Sequence, residues 1–241
     1  GGSGLGDDYY DGGNGIDTIK YTSAEDGILV NLKQGFAHAL GGGDTAKIGS
    51  DLIYQIENII SGDFADELVD DHYSNSIFGN GGNDLITLSS GSDFADGGTG
   101  NDLVHLTGSG TFGSDLIAQN ISSNLQTGTN EFLRVDGKTR FEDVMDGGAD
   151  VDTVELTDAS DAFFLHDSFS GFHSSLSLLN DYAGELGTAR IENIENINAG
   201  GGDDIIDLTS PDYSLAGQNI TVDGNEGNDT LWGSDANETL K

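Results

Sequence analysis

The sequence predicts an all-β fold, a parallel β-roll or β-sandwich-like stack of short strands with one or two short helices, and three observations predict it. The first is a nine-residue register. Windows starting at Ser61, Asp70, Gly79, Leu88 and Gly97 place Asp66, Asn75, Asp84, Asp93 and Asp102 sixth, and Leu68, Ile77, Ile86, Ala95 and Val104 eighth. The second is punctuation: short apolar or alternating runs, at 28–32, 52–56 and 220–222, are bounded by Gly, Asp and Asn. The third is a duplication. Asp11-Gly12-Gly13 and Asp17-Thr18-Ile19 return 135 residues later as Asp146-Gly147-Gly148 and Asp152-Thr153-Val154. Ile56-Glu57-Asn58-Ile59 returns 138 residues later as Ile194-Glu195-Asn196-Ile197.

Each residue type in the register has a physical reason. The fullest window reads Gly97-Gly98-Thr99-Gly100-Asn101-Asp102-Leu103-Val104-His105 and fits G-G-x-G-x-D-x-U-x. Glycine permits positive φ and lets backbone carbonyls approach a cation, and the aspartate adds a hard oxygen ligand of the kind that calcium takes. The eighth residue points into the stack, and neighbouring turns must cover it. Two windows complete one coil, so Asp66, Asp84 and Asp102 are expected along one edge and Asn75 and Asp93 along the other. A flexible Gly/Asp linker would not keep an aliphatic residue two places after the acid in window after window.

In chain order, the first turns belong to residues 3–20, with Asp8 and Asp17 in sixth places. The run at 61–105 follows. Near 147–155, Asp150 replaces the third glycine and Asp152 is sixth, with Asp143 in the window before. Asp204 and Asp229 are the acids of two later copies, the last followed in register by Glu238 and Leu240. These aspartates and Asn75 are the expected metal ligands. Helical spacing of Leu176, Leu179, Tyr182 and Ala183 suggests a helix over 174–186, and a shorter one is expected to begin near Ser114. The expected division is a repeat-bearing portion at 1–105 and a second calcium-braced β portion at 106–241.

Composition narrows the function. The formal charge is −35, from 43 acids against 8 bases, and self-repulsion of that size opposes compaction until cations neutralise it. Folding is therefore expected to depend on several calcium ions. No basic stripe exists to neutralise phosphate, so nucleic acid and anionic membranes are poor partners. No apolar stretch approaches a membrane span, and the absence of cysteine removes disulfides and thiol chemistry. The chain begins in mid-register, as a monomeric module cut from a longer protein would.

These nonapeptides resemble those of the RTX proteins that Gram-negative bacteria secrete through type I systems. The segment Asp17-Thr18-Ile19, Tyr21, Ala24, Gly27-Ile28, Val30, Leu32 with the later Ile-Glu-Asn-Ile is similar to segments flanking calcium repeats in large RTX adhesins. The resemblance implies an extracellular, calcium-rich setting and favours a ligand-binding adhesin module, for a peptide or a glycan. Asp161, His166, Asp167, Asp181 and Tyr182, in the aromatic-rich interruption that also holds Phe163 and Phe164, are the candidates for that surface. The alternatives are a structural or secretion roll and an accessory domain of a secreted enzyme. Catalysis in this chain is not expected: there is no Gly-x-Ser-x-Gly elbow and no His-Glu-x-x-His, and the five histidines lack zinc spacing.

Overall fold

The computed structural model describes residues 6–112, 119–121, 131–133, 135–165 and 189–241. Every regular element among them is a β-strand. The helix expected over 174–186 lies outside the described residues, and the shorter one expected from Ser114 is corrected at its far end, where Gln119–Ile121 is a β-strand paired antiparallel with Glu131–Leu133. The described residues fall into two compact units: the first gathers those of Gly1–Thr107 with Glu142–Glu155 and Ile191–Asn196, and the second those of Gly108–Phe141, Leu156–Arg190 and Ile197–Lys241. The division is not a single cut between 105 and 106. The chain leaves the first unit and returns to it twice.

In the first unit the nine-residue register becomes two ladders, because successive windows fall on alternate faces. One ladder joins Glu67–Val69, Leu85–Leu88, Leu103–Leu106 and Thr153–Glu155, all parallel. The other joins Thr18–Lys20, Asn58–Ile60, Ser76–Phe78, Phe94–Thr99, Val144–Ala149 and Ile191–Glu192, also parallel. The eighth residues stack opposite one another. Leu68, Ile86, Val104 and Val154 align on one ladder, Ile59, Ile77, Ala95 and Met145 on the other, and all are fully buried. Alternation along a strand sends their neighbours outward, and burying each Leu or Ile contributes about 1.5–3 kcal/mol relative to exposure.

One excursion breaks the parallel pattern. Ile28–Asn31 and Phe36–Ala39 form an antiparallel hairpin, which Ser50–Tyr54 extends antiparallel, and Tyr9–Asp11 adds a parallel strand beyond it. Asp51 fastens this sheet from beneath. Its carboxylate accepts the buried Tyr21 hydroxyl at 2.8 Å and the Asp8 amide at 3.0 Å.

The second unit repeats the parallel scheme with longer connections. Thr139–Arg140, Asp161–Phe164, Ile205–Asp207 and Thr230–Trp232 form a parallel ladder in which Phe163, Ile206 and Leu231 are in register. Asn219–Asp223 pairs in parallel with Asn237–Leu240. Phe163 and Phe164 are core residues: Phe163 lies 6.2 Å from Phe141 and Phe164 lies 6.1 Å from Phe112, centroid to centroid. This part of the aromatic interruption is interior rather than binding surface.

Candidate metal sites

The glycine-rich turns among those that carry the acids share one backbone signature. The second and fourth places take positive φ in the windows beginning at Gly79 (Asn80 63°, Gly82 121°), Gly97 (Gly98 99°, Gly100 127°) and Gly147 (Gly148 93°, Asp150 90°). Those two left-handed residues fold the turn so that the sixth side chain points back under it. Asp150 takes the fourth place at the surface. Its exposed side chain stands outside the row of buried acids.

The sixth-place acids are wired to one another along the stack. The Asp66 amide donates to Asp84 Oδ1, the Asp84 amide to Asp102 Oδ1 and the Asp102 amide to Asp152 Oδ1, each at 2.8 Å. On the opposite edge the Asn75 amide donates to Asp93 Oδ1 at 2.7 Å and the Asp93 amide to Asp143 Oδ1 at 3.1 Å. In the second unit Asp161 donates to Asp204 Oδ1 at 2.7 Å and Asp204 to Asp229 Oδ1 at 2.9 Å. One oxygen of each accepting carboxylate thus holds the neighbouring coil.

The other oxygen is where the chemistry lies. Oδ2 of Asp17, Asp84, Asp93, Asp102, Asp152 and Asp204 is buried and receives no hydrogen bond. A buried anionic oxygen without a donor is costly, so it demands a proton or a cation. Burial accordingly pushes the Asp84 carboxyl up to about 8 and those of Asp152 and Asp204 to about 7, with adjacent acids adding to the effect against the amide bonds that lower it. The Asp93 carboxyl is raised for the same reason.

Carbonyl oxygens share the space these carboxylates face. A Cβ added to Gly79 would lie 2.3 Å from Asp84 Oδ2 and 2.6 Å from the Gly97 carbonyl oxygen. The same hypothetical atom on Gly97 would meet Asp102 Oδ2 at 2.3 Å and the Gly147 carbonyl at 2.8 Å. Glycine in the first place therefore leaves a cradle lined by one carboxylate and by a carbonyl from the next coil. Among the described residues no three His, Asp or Glu side chains converge on one point. An ion in these cradles would draw on backbone oxygens as well, a donor set that suits calcium.

Not every expected ligand occupies such a cradle. Asp66 has both oxygens taken, by the Ile28 amide at 2.8 Å and the Gly62 amide at 3.2 Å. Asn75 Nδ2 donates to the Glu57 carbonyl at 2.7 Å, so an amide hydrogen offers that carbonyl the positive partner a cation would otherwise be. Asp8 is exposed and Asp143 holds its neighbour in the row above, whereas Asp229 both holds Asp204 and lies under the first-place Gly224, where an added Cβ would be 2.4 Å from its Oδ2. Asp161 is corrected: it is fully buried, accepts from the Thr157 amide and hydroxyl at 2.8 Å and belongs to the acid row, so it is no part of an exposed ligand surface. His166, Asp167, Asp181 and Tyr182 lie outside the described residues.

Two glutamates that motif reading passed over complete the rows. Glu57 Oε2 accepts the Asp17 amide at 2.8 Å, and Glu195 Oε2 accepts the Asp152 amide at 2.9 Å. They are the sixth residues of windows whose eighth residues are Ile59 and Ile197, and Gln55 and Asn193 take the fourth-place positive φ. The duplicated Ile-Glu-Asn-Ile segment is thus a repeat with glutamate for aspartate.

Comparison with protein families matches the RTX calcium-binding nonapeptide repeat, in four copies, over residues 3–19, 71–104 and 221–240. No curated protein matches the chain. Residues 147–155 and 199–207 fall outside the family match, yet their turns repeat the positive φ at Gly148, Asp150, Gly200 and Gly202 and their acids the same amide bonds.

Proposed function

We propose that this chain, an RTX repeat protein and a calcium-binding module, acts outside a Gram-negative bacterium as a non-catalytic adhesin module that presents a ligand-binding surface once calcium has folded it. The observation that carries the folding half is the row of buried carboxylate oxygens without donors at Asp84, Asp93, Asp102, Asp152 and Asp204. Bound calcium would neutralise these oxygens and supply ligand bonds in place of the missing donors. Asp84, Asp102 and Asp152, with the carbonyls of Gly97, Gly147 and Asn193, are the residues fit to hold it on one edge. In calcium-poor surroundings the formal charge of −35 keeps the chain expanded, which suits passage through a secretion channel. The adhesin half draws on the resemblance of residues 17–32 to adhesin segments, and the non-catalytic half on the missing catalytic motifs.

The test is a calcium titration of the purified chain followed by circular dichroism and calorimetry, then a peptide and glycan array in calcium. Cooperative folding on calcium addition, weakened by Asp84→Ala and Asp102→Ala, with calcium-dependent hits on the array, is the expected result. A chain equally folded in chelator would overturn the folding half. Folding with a silent array would leave a calcium-folded spacer and remove the adhesin half.

A further inference from the structure

We propose that a groove in the first unit binds a neutral, hydroxyl-rich oligosaccharide, with Tyr9, Tyr54 and Tyr73 as its stacking surfaces. This deepens the ligand-binding reading above and rests on it. The groove has a volume of about 830 Å³ and lies over the antiparallel excursion, where the nonapeptide register is suspended. One wall is the turn at Lys33, Gln34 and Gly35. The floor is the outward face of Ser50–Tyr54 with the neighbouring strand Tyr9–Asp11.

Strand alternation explains why apolar groups stand in solvent here. Asp51 and Ile53 point inward, so Leu52 and Tyr54 must point out, and Tyr9 lies directly across from Leu52 in the parallel pair. Tyr9, Leu52, Tyr54 and Tyr73 are 64, 59, 56 and 59 % exposed. Contiguous exposed apolar surface of this kind marks an interaction site. The inward anchor at Asp51, bonded to Tyr21 and to the Asp8 amide, holds the two strands that carry Tyr9 and Tyr54 before any ligand arrives, and Tyr73 is placed by its amide bond to Asp71 and its ring contact with His72, which lowers the ordering cost of binding.

The lining selects the class of ligand. Three of the chain's seven tyrosines gather here. They combine flat ring faces for C–H groups with phenolic hydroxyls for hydrogen bonding. Gln34 and Gln55 add amides able to both donate and accept. The charged groups are Lys33, Glu57 and Asp71, and a chain of −35 repels an anion. A cationic peptide would be drawn to any acidic face of this chain, so charge gives it no preference for this one. Rings flanked by amides and hydroxyls, near charge balance, suit a neutral saccharide.

The test uses the full chain in saturating calcium against hexasaccharides of glucose, N-acetylglucosamine, mannose and galactose, with hexalysine and hexagalacturonate as charged probes. Binding is read by calorimetry for the parent, Tyr9→Ala/Tyr54→Ala and, independently, Tyr73→Ala, with calcium-dependent circular dichroism as the check on folding. The expected result is binding of at least one neutral hexasaccharide, weakened tenfold or more in both variants with the folding transition unchanged. Neutral binding that survives both variants would overturn the groove while leaving the ligand-binding reading intact. Binding of either charged probe that both variants weaken tenfold or more would overturn the neutral-saccharide assignment. No binding to any probe, together with a silent array, would overturn both.

Discussion

The run at 61–105 and the antiparallel excursion at 28–54 belong to the same unit but satisfy their buried acids in opposite ways. In the run, Asp84, Asp93 and Asp102 each give one oxygen to a neighbouring coil and leave the other without a donor. In the excursion, Asp51 has a donor on each oxygen, the Asp8 amide on one and the Tyr21 hydroxyl on the other. A strict repeat puts each of these three acids beside another acid one coil away, where its second oxygen finds no donor, whereas Asp66 at the start of the run takes the Ile28 and Gly62 amides and Asp70, outside the sixth place, takes the Ser89 amide and hydroxyl. An irregular segment can place a hydroxyl or a turn amide where the carboxylate falls. The run therefore depends on cations, and the excursion depends on its own hydrogen bonds.

The largest effect should come from the core both edges of the roll share. Ile86→Ala removes a fully buried side chain stacked between Leu68 and Val104 and is expected to cost about 2–5 kcal/mol in saturating calcium, measured by thermal unfolding. Gly100→Ala should cost at least about 2 kcal/mol, because a Cβ there would sit 1.6 Å from the Gly82 carbonyl oxygen at a φ of 127°. Asp84→Ala leaves the Asp66 amide without its acceptor and removes a cradle oxygen. About 1–3 kcal/mol should be lost, and fewer calcium ions should be bound at saturation.

Tyr21→Phe separates the two regions. It should lower thermal stability by about 1 kcal/mol, yet leave the number of ions bound in saturating calcium unchanged. If it also reduced that number, the contrast between run and excursion would fail. The smallest and most graded effect is that of pH. Asp84 and Asp204 are raised to about 8 and about 7 from an ordinary value of 3.8, so the calcium-free fold binds more protons than the unfolded chain between roughly pH 4 and 8. Its stability should fall as pH rises through that window. The expanded calcium-free chain has ordinary carboxyls that are already ionised between pH 6 and 8, so the midpoint of calcium-induced folding, followed by circular dichroism, should stay nearly constant there and move to higher concentration only as pH falls below about 5. A midpoint that shifted strongly between pH 8 and 6 would count against a chain that is expanded without calcium.

Much of this fold can be read from spacing alone. The eighteen-residue step places Asp66, Asp84 and Asp102 on one edge because two windows make one coil, and the eighth-place residues name the core. What spacing hides is chemistry that keeps the register but changes the residue. Glu57 and Glu195 sit in sixth places with one methylene more than aspartate, and Asp161 is the next sixth place after Asp152, with Phe163 as its apolar partner. A reading tuned to Gly-Gly and Asp passes over the first pair and takes the second for an aromatic interruption. Asp51 was illegible for a different reason: its partners Asp8 and Tyr21 are 43 and 30 residues away and obey no period. The tyrosine groove is equally silent in sequence, since Tyr9, Tyr54 and Tyr73 meet only through the crossing of strands and loops.

Long-wavelength anomalous diffraction from crystals of the calcium-loaded chain tests the central claim most directly. The account predicts calcium peaks within 2.3–2.6 Å of Asp84 Oδ2 and Asp102 Oδ2 and of carbonyls in the turns at Gly97 and Gly147. An ordered roll whose cradles show no anomalous density, with these carboxyls bonded instead to water or to one another as acids, would contradict it.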